Sequence, residues 1–261
     1  DDGAAVLFRD HPLFDRLRNH ALRHGVQRIV GFGENEEAKV RLVSCNLAET
    51  SSTVEAEIAG QIVRYAIGAP GKHLVINSLA VLAAVNAIGM DVLVAAAALG
   101  DVRALKGRGQ RQEISWQDGA FVMIDESYNA SPVSMEAAIC LLATTTPARD
   151  GRRIAVMGDM LELGARSEEL HAGLIQPLRA AGIDLVFTAG KHMASLWCQL
   201  PPSMRGGHAA TAKELAPLVM AAVGDGDVAM VKGSLSSHMA VVVGALEALD
   251  GGAISRVVNG E

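Results

Sequence analysis

Four short apolar runs in the second half of the chain, at 121–124, 154–157, 185–188 and 228–231, each end in glycine or a charged residue and lead toward a segment of helical spacing. Runs that are short and continuously apolar fit strands buried on both faces of a parallel sheet. The intervening segments, at 133–142, 167–181, 192–199, 212–223 and 236–249, are long enough to be the crossover helices that parallel pairing requires. A short segment near His208 adds one further piece. The fold class is therefore α/β, with a doubly wound, Rossmann-like layer structure in this half. In such a sheet the carboxyl ends of the strands share one edge, and ligands bind in the crevice beyond it. Asp125, Asp159, Lys191 and Lys232 stand at those ends and are predicted to line one crevice.

The first hundred residues follow a different pattern. Runs at 4–8 and 28–32 flank a helical segment at 12–24, which reads as a β-α-β unit. Between 39 and 67 the apolar residues alternate with period two, and Ala59-Gly60 forms a tight connection, so an antiparallel meander completes a mixed sheet. Gly68-Ala69-Pro70-Gly71 breaks that sheet and precedes helices at 73–88 and 92–99. Two glycines among cations in Lys106-Gly107-Arg108-Gly109 mark the best boundary, giving domains at 1–106 and 107–261.

Composition narrows the function classes. Half of the 261 residues are hydrophobic, so the chain can bury sizeable cores. The net charge is −6 and no block of Lys or Arg tracks a phosphate backbone, which argues against nucleic-acid binding. The most membrane-like stretch, 78–100, is interrupted by Asn86, Gly89 and Asp91 and reads as two packed helices, not a membrane insertion. Cys45, Cys140 and Cys198 fit no metal spacing; with no signal segment at the start, they read as reduced thiols used for packing in a cytoplasmic protein.

Several residues have both a chemical and a structural reading. Asp125 either holds a ribose hydroxyl or a metal-bound water, or caps the turn that Ser127, Asn129 and Ser131 favour ahead of a helix opened by Pro132. Tyr128 and Asn129 either reach a nucleotide or shape that turn. His73 and Asn77 lie four apart and share a helix face. Arg108 beside its glycines is by default a solvated cation, and Asp159 is either a ligand contact or a turn residue. His171 is more readily a satisfied helix histidine than a base. Lys232-Gly233-Ser234 ends a buried strand where a lysine and free amides can receive a carboxylate or phosphate. No catalytic residue and no set of metal ligands is singled out.

The run Asp125-Glu126-Ser127-Tyr128-Asn129-Ala130-Ser131-Pro132, with Ser134-Met135, resembles the signature of the MurF ligases, a branch of the Mur ligase family. Collinear matches follow at Gly107-Arg108-Gly109, at the segment from Met157 to Gly164, at His171 and at Lys232-Gly233-Ser234. The Gly71-Lys72-His73 to Asn77 segment resembles a motif of the wider family, from which Leu74 departs. The resemblance implies the last part of a central ATPase domain followed by a Rossmann-like C-terminal domain. It implies ATP and Mg2+ as cofactors, and UDP-N-acetylmuramoyl-tripeptide and D-alanyl-D-alanine as partners, joined through an acyl phosphate in peptidoglycan synthesis. His73, Asn77, Arg108, Asp125, Tyr128 and Asn129 would then face the nucleotide, and Asp159, Lys191, Lys232 and Ser234 the dipeptide. The phosphate-cradling loop that the resemblance implies, of the G-T-x-G-K-[ST] kind, is not in this sequence. That loop and the family's metal ligands are expected upstream, and the 261 residues alone are expected to be inactive.

Other readings are a folylpolyglutamate synthase-like or other Mur-type amide ligase, and a non-catalytic binding module. A dinucleotide oxidoreductase fits poorly, because Gly31-Phe32-Gly33 is followed by Glu36 where a third glycine is needed.

Overall fold

A computed structural model describes residues 3–48, 50–117 and 119–250. The chain divides into two compact units, Asp1–Arg103 and Ala104–Glu261.

In the first unit, strand β1 (Ala4–Phe8), helix α1 (Phe14–Arg23) and strand β2 (Arg28–Gly33) make the expected β-α-β unit, with β1 and β2 parallel. Strands β3 (Val40–Leu47), β4 (Ser52–Ile58) and β5 (Gln61–Ile67) form the meander, and the sheet runs β1-β2-β3-β4-β5. Ile58 pairs with Gln61 across a two-residue turn. Both turn residues, Ala59 (φ 51°) and Gly60 (φ 80°), take positive φ, as the right-handed twist of a tight hairpin requires. Helices α2 (Lys72–Ala87) and α3 (Val92–Ala98) account for the long apolar stretch, and Asp91 caps α3 by accepting from Leu93 and Val94 N–H. Among the described residues no helix is long and apolar enough to cross a membrane.

Helix α2 packs on β2 and β3 through Val75, Leu79, Leu82 and Ala83, all fully buried. One buried polar contact fixes its rotation. The Tyr65 hydroxyl lies 2.7 Å from Ser78 Oγ, and Ser78 itself donates to Val75 O at 2.7 Å, so the phenol is the donor in the first bond. Burial pushes the Tyr65 phenol up to about 12, outweighing that bond.

In the second unit, strands β6 (Gln110–Trp116), β7 (Gly119–Glu126), β8 (Arg153–Gly158), β9 (Leu185–Ala189), β10 (Arg205–Ala209) and β11 (Val228–Lys232) form one sheet in the order β10-β9-β8-β11-β7-β6. All neighbours are parallel except β6, which pairs antiparallel with β7. Helices α4 (Pro132–Thr144), α5 (Ser167–Ala172), α6 (Ile175–Ala180) and α7 (Met193–Gln199) contribute to one core layer, including Met135, Ile139, Leu178 and Leu196. Helices α8 (Ala212–Ala222) and α9 (Ala240–Glu247) contribute to the other, including Leu215, Val219, Val242 and Leu246. Helices thus cover both faces, as continuously apolar strands demand.

Three expectations need correction, and the unassigned segment near His208 gains a secondary structure. The single helix expected at 167–181 is two short ones, separated at Gly173 and Leu174. The helix expected at 236–249 begins as a 3-10 turn at Leu235–Ser237 and is interrupted by His238 in the left-handed region (φ 56°) before α9 starts. The segment near His208 is an edge strand, its glycines and polar residues hiding the usual apolar pattern. Cys140 and Cys198 are exposed and do no packing; only Cys45 is half-buried.

Candidate functional site

Strand registers set the carboxyl edge of the second sheet. Lys232 of β11 stands opposite Glu126 of β7 and Met157 of β8, while Gly158 of β8 pairs with Ala189 of β9, and Ala189 with Ala209 of β10. The predicted edge is therefore one row, but its two ends differ in what their charges do.

At the β7 and β11 end the charged groups are occupied. Asp125 is buried, and its carboxylate accepts from Gly107 N–H (2.8 Å), Ser127 N–H (3.0 Å) and Ser127 Oγ–H (2.6 Å). These bonds, with Gly109 N–H donating to Asp125 O and Tyr128 N–H to Gly107 O, stitch the 104–109 loop onto the strand end. Gly107 has φ 77°, and a Cβ there would lie 2.9 Å from Tyr128 Cβ, so the loop needs glycine. The result lays Arg108 over the Tyr128 ring, guanidinium carbon 4.2 Å from the centroid, with both residues exposed. Asn129 is exposed and its Oδ1 accepts from Ala130 N–H. Ser131 and Ser134 then form a capping box with Pro132 at the first position of α4.

Lys232 is buried, and its ammonium donates to Asn129 O (2.9 Å) and Glu126 Oε2 (3.3 Å). Burial pulls its pKa down from the usual lysine range, and Glu126 opposes the shift. Ser234 is also buried: its N–H donates to Asp159 O, its Oγ accepts from Leu161 N–H, and its hydroxyl reaches Ala130 O at 3.4 Å. Gly158 and Gly233 allow the ends of β8 and β11 to close on each other and on Met239.

At the β8, β9 and β10 end an open cavity of about 530 Å3 includes Asp159, Lys191, Thr211, Lys213, Ser236 and His238 in its lining. Its size falls within the range of roughly 300–1,000 Å3 common for small-molecule sites. Asp159 accepts from Met193 N–H (2.8 Å) and His192 N–H (3.4 Å), capping α7. Gly190 makes this possible, since a Cβ there would fall 2.4 Å from Asp159 Cγ. Beneath it His171 is fully buried; Nδ1–H donates to Ser167 O (2.6 Å) and Nε2 accepts from Met160 N–H (2.9 Å). Both nitrogens are used, and burial, the larger effect, pulls the His171 pKa down, so the ring is neutral and structural.

The four residues predicted to share a crevice are thus divided: Asp159 and Lys191 line this cavity, whereas Asp125 and Lys232 do not. The cavity also contains residues that sequence reasoning missed, Thr211 and Lys213 at the start of α8 and Ser236 and His238 ahead of α9. Thr211-x-x-Glu214, a capping box, was a usable signal once β10 was known to precede it. In the first unit His73 and Asn77 are both exposed on α2, in line with the shared helix face that their spacing predicts. A separate first-unit cavity of about 440 Å3, lined in part by Arg9, Phe14, Arg18 and Lys39, contains none of the expected residues. Among the described residues no three His, Cys, Asp or Glu side chains converge as metal ligands.

Comparison with known proteins fits this architecture. The Mur ligase middle domain matches residues 1–85, and the Mur ligase, glutamate ligase domain matches residues 107–235. The UDP-N-acetylmuramoyl-tripeptide--D-alanyl-D-alanine ligase of Escherichia coli (strain K12) is 34% identical over 180 residues, covering 68% of this chain and 38% of that protein. The ligase of the same name from Bacillus subtilis (strain 168) is 32% identical over 191 residues, 73% of this chain and 39% of that protein. The crystal structure of MurF ligase from Thermotoga maritima in complex with ADP superposes with a TM-score of 0.76 at 23% identity, covering 97% of this chain and 54% of that one. The chain therefore spans well under half the length of these two curated relatives. With both of its units matched to domains of one family and built on that family's architecture, the chain belongs to the Mur ligase family.

Proposed function

We propose that this chain is part of a cytoplasmic, ATP-dependent ligase of the MurF type, which joins D-alanyl-D-alanine to UDP-N-acetylmuramoyl-tripeptide in peptidoglycan synthesis. The observation that carries the reading is the 34% and 32% identity to two ligases bearing that activity in their names. The turn at 125–132, where the resemblance to MurF ligases is densest, supports it: its buried Asp125 holds Gly107, and Gly107 sets Arg108 on Tyr128.

In this reading Arg108, braced against an aromatic face, offers its fork of donors to phosphate oxygens of ATP. Tyr128, Asn129 and the buried Asp125 make up the rest of that strand end, and His73 and Asn77 are the nucleotide candidates of the first unit. ATP would supply the phosphoryl group, turning the tripeptide carboxylate into an acyl phosphate with release of ADP, and attack by the dipeptide amine would form the amide and expel phosphate. Asp159 and Lys191 face the dipeptide, while Lys232 and Ser234 hold the strand ends that present it. Magnesium is expected with ATP, on ligands upstream of this segment, since no three His, Cys, Asp or Glu side chains converge among the described residues.

The test is phosphate release from ATP by the complete ligase, with UDP-N-acetylmuramoyl-tripeptide and one amine at a time. D-alanyl-D-alanine is expected to stimulate release; stimulation by L-alanine or by glutamate instead would reassign the chain within the family. The 261 residues alone, which carry no phosphate-cradling loop, are expected to release none.

A further inference from the structure

We propose that His20 and His24, one turn apart at the end of α1, form a two-ligand site for a transition-metal ion, Cu2+ most tightly and Ni2+ or Zn2+ less so. The site lies in the first unit and does not depend on the function proposed above.

The run His20-Ala21-Leu22-Arg23-His24 spaces two imidazoles by four residues, which on a helix puts both on one face. Helix α1 ends at Arg23, but His24 at its C-cap still donates its N–H to His20 O at 3.2 Å, so the helical turn holds through both residues. Their ring centroids lie 4.4 Å apart, with the planes 45° from parallel. Metal–imidazole bonds of roughly 2.0–2.1 Å set two ligating nitrogens about 3 Å apart on one ion. Rings at this separation reach that spacing by turning about their own side-chain bonds. Both residues are exposed, so water can fill the ion's remaining positions. Among the described residues neither ring makes a hydrogen bond, whereas His171 spends both nitrogens and His208 bonds Thr188.

Ligand chemistry selects the ion. No third His, Cys, Asp or Glu joins the pair, so the ligands are imidazole nitrogens alone. Imidazole suits Cu2+, Ni2+ and Zn2+, with Cu2+ bound most tightly, whereas Mg2+ demands oxygen. The site is therefore separate in kind from the magnesium expected with ATP. The carbonyl end of the helix dipole favours a cation at this turn, and Arg16 and Arg23 oppose it across screening water. A bound ion would join His20 to the C-cap residue just before Gly25 leads the chain toward β2, stapling the last turn of α1.

The experiment is calorimetric titration of the chain with the chlorides of Cu2+, Ni2+, Zn2+ and Mg2+, on wild type, His20→Ala and His24→Ala. One equivalent of Cu2+ is expected to bind wild type at about micromolar concentration, and Mg2+ not to bind the pair. Each variant is expected to bind Cu2+ about a hundredfold more weakly, because the second imidazole no longer closes the chelate. Adding Arg16→His to His24→Ala restores the four-residue spacing one turn earlier and is expected to recover the affinity. In wild type, Cu2+ is expected to broaden the backbone amide resonances of His20 and His24 first. Undiminished Cu2+ binding in either single variant would overturn the site, as would broadening centred on another of the eight histidines. Wild-type binding no tighter than that of the variants would do the same. Unchanged thermal unfolding of the metal-free variants excludes a folding defect, since both side chains are exposed.

Discussion

The two ends of one sheet edge use the same residue types for opposite purposes. At β7 and β11, Asp125 and Lys232 are buried and partnered by the protein's own groups; at β8, β9 and β10, Lys191 and Lys213 are exposed on a cavity and have no carboxylate partner among the described residues. Position at a strand end therefore does not decide whether a charge binds a ligand or holds the chain. Register decides it. Lys232 falls opposite Glu126 on the neighbouring strand and is drawn into a buried pair, whereas Lys191 and Lys213 lie beyond their strands on loop and helix.

The largest test of that contrast is Lys232→Ala. Removing the ammonium leaves Glu126 in a nearly closed site and Asn129 O without its donor, and is expected to cost about 3 kcal/mol in urea unfolding. A cost as small as that of a surface change would remove the distinction between the two ends. Asp125→Ala comes next, at about 2 kcal/mol, because Gly107 and Ser127 N–H lose their acceptor. Its loss should also free the 104–109 loop, read as faster amide exchange at Gly107 and at Tyr128, whose N–H donates to Gly107 O.

A pH series sharpens the picture beneath the open end. Burial pulls the His171 pKa down in the folded chain, while unfolded histidine titrates near 6.5. As pH falls below about 6.5 the unfolded state takes up a proton that the folded state refuses, so stability is retained above that pH and declines below it. The decline attributable to His171 cannot exceed about 1.4 kcal/mol per pH unit, and His171→Gln should flatten the curve by that share. An identical slope in the variant would show that His171 is protonated in the fold. The smallest stability effect belongs to Lys213→Ala, expected within about 0.5 kcal/mol because the side chain is exposed.

Much of this organisation was legible in the sequence. The apolar runs located the parallel strands, period-two alternation located the meander, and Ser131-Pro132 located the start of α4, because each depends on neighbours in the chain. Edge strand β10, with two glycines and a histidine among its five residues, lacked an apolar signature, and without it the capping box at Thr211 had no context. The break at His238 was equally hidden, since nothing local in Leu235-Ser236-Ser237-His238 demands a left-handed residue. The candidate site divides in the same way. Asp125 and Lys232 could be placed at strand ends from the sequence, but whether their charges were spent required registers and tertiary bonds.

The contrast between the two ends is tested most directly by following the backbone amide resonances of the chain during titration with D-alanyl-D-alanine. Shifts are expected at Lys191, Thr211, Lys213 and His238, with Glu126, Ser127 and Asn129 unmoved. Shifts confined to 125–131, with the β8, β9 and β10 end silent, would contradict it.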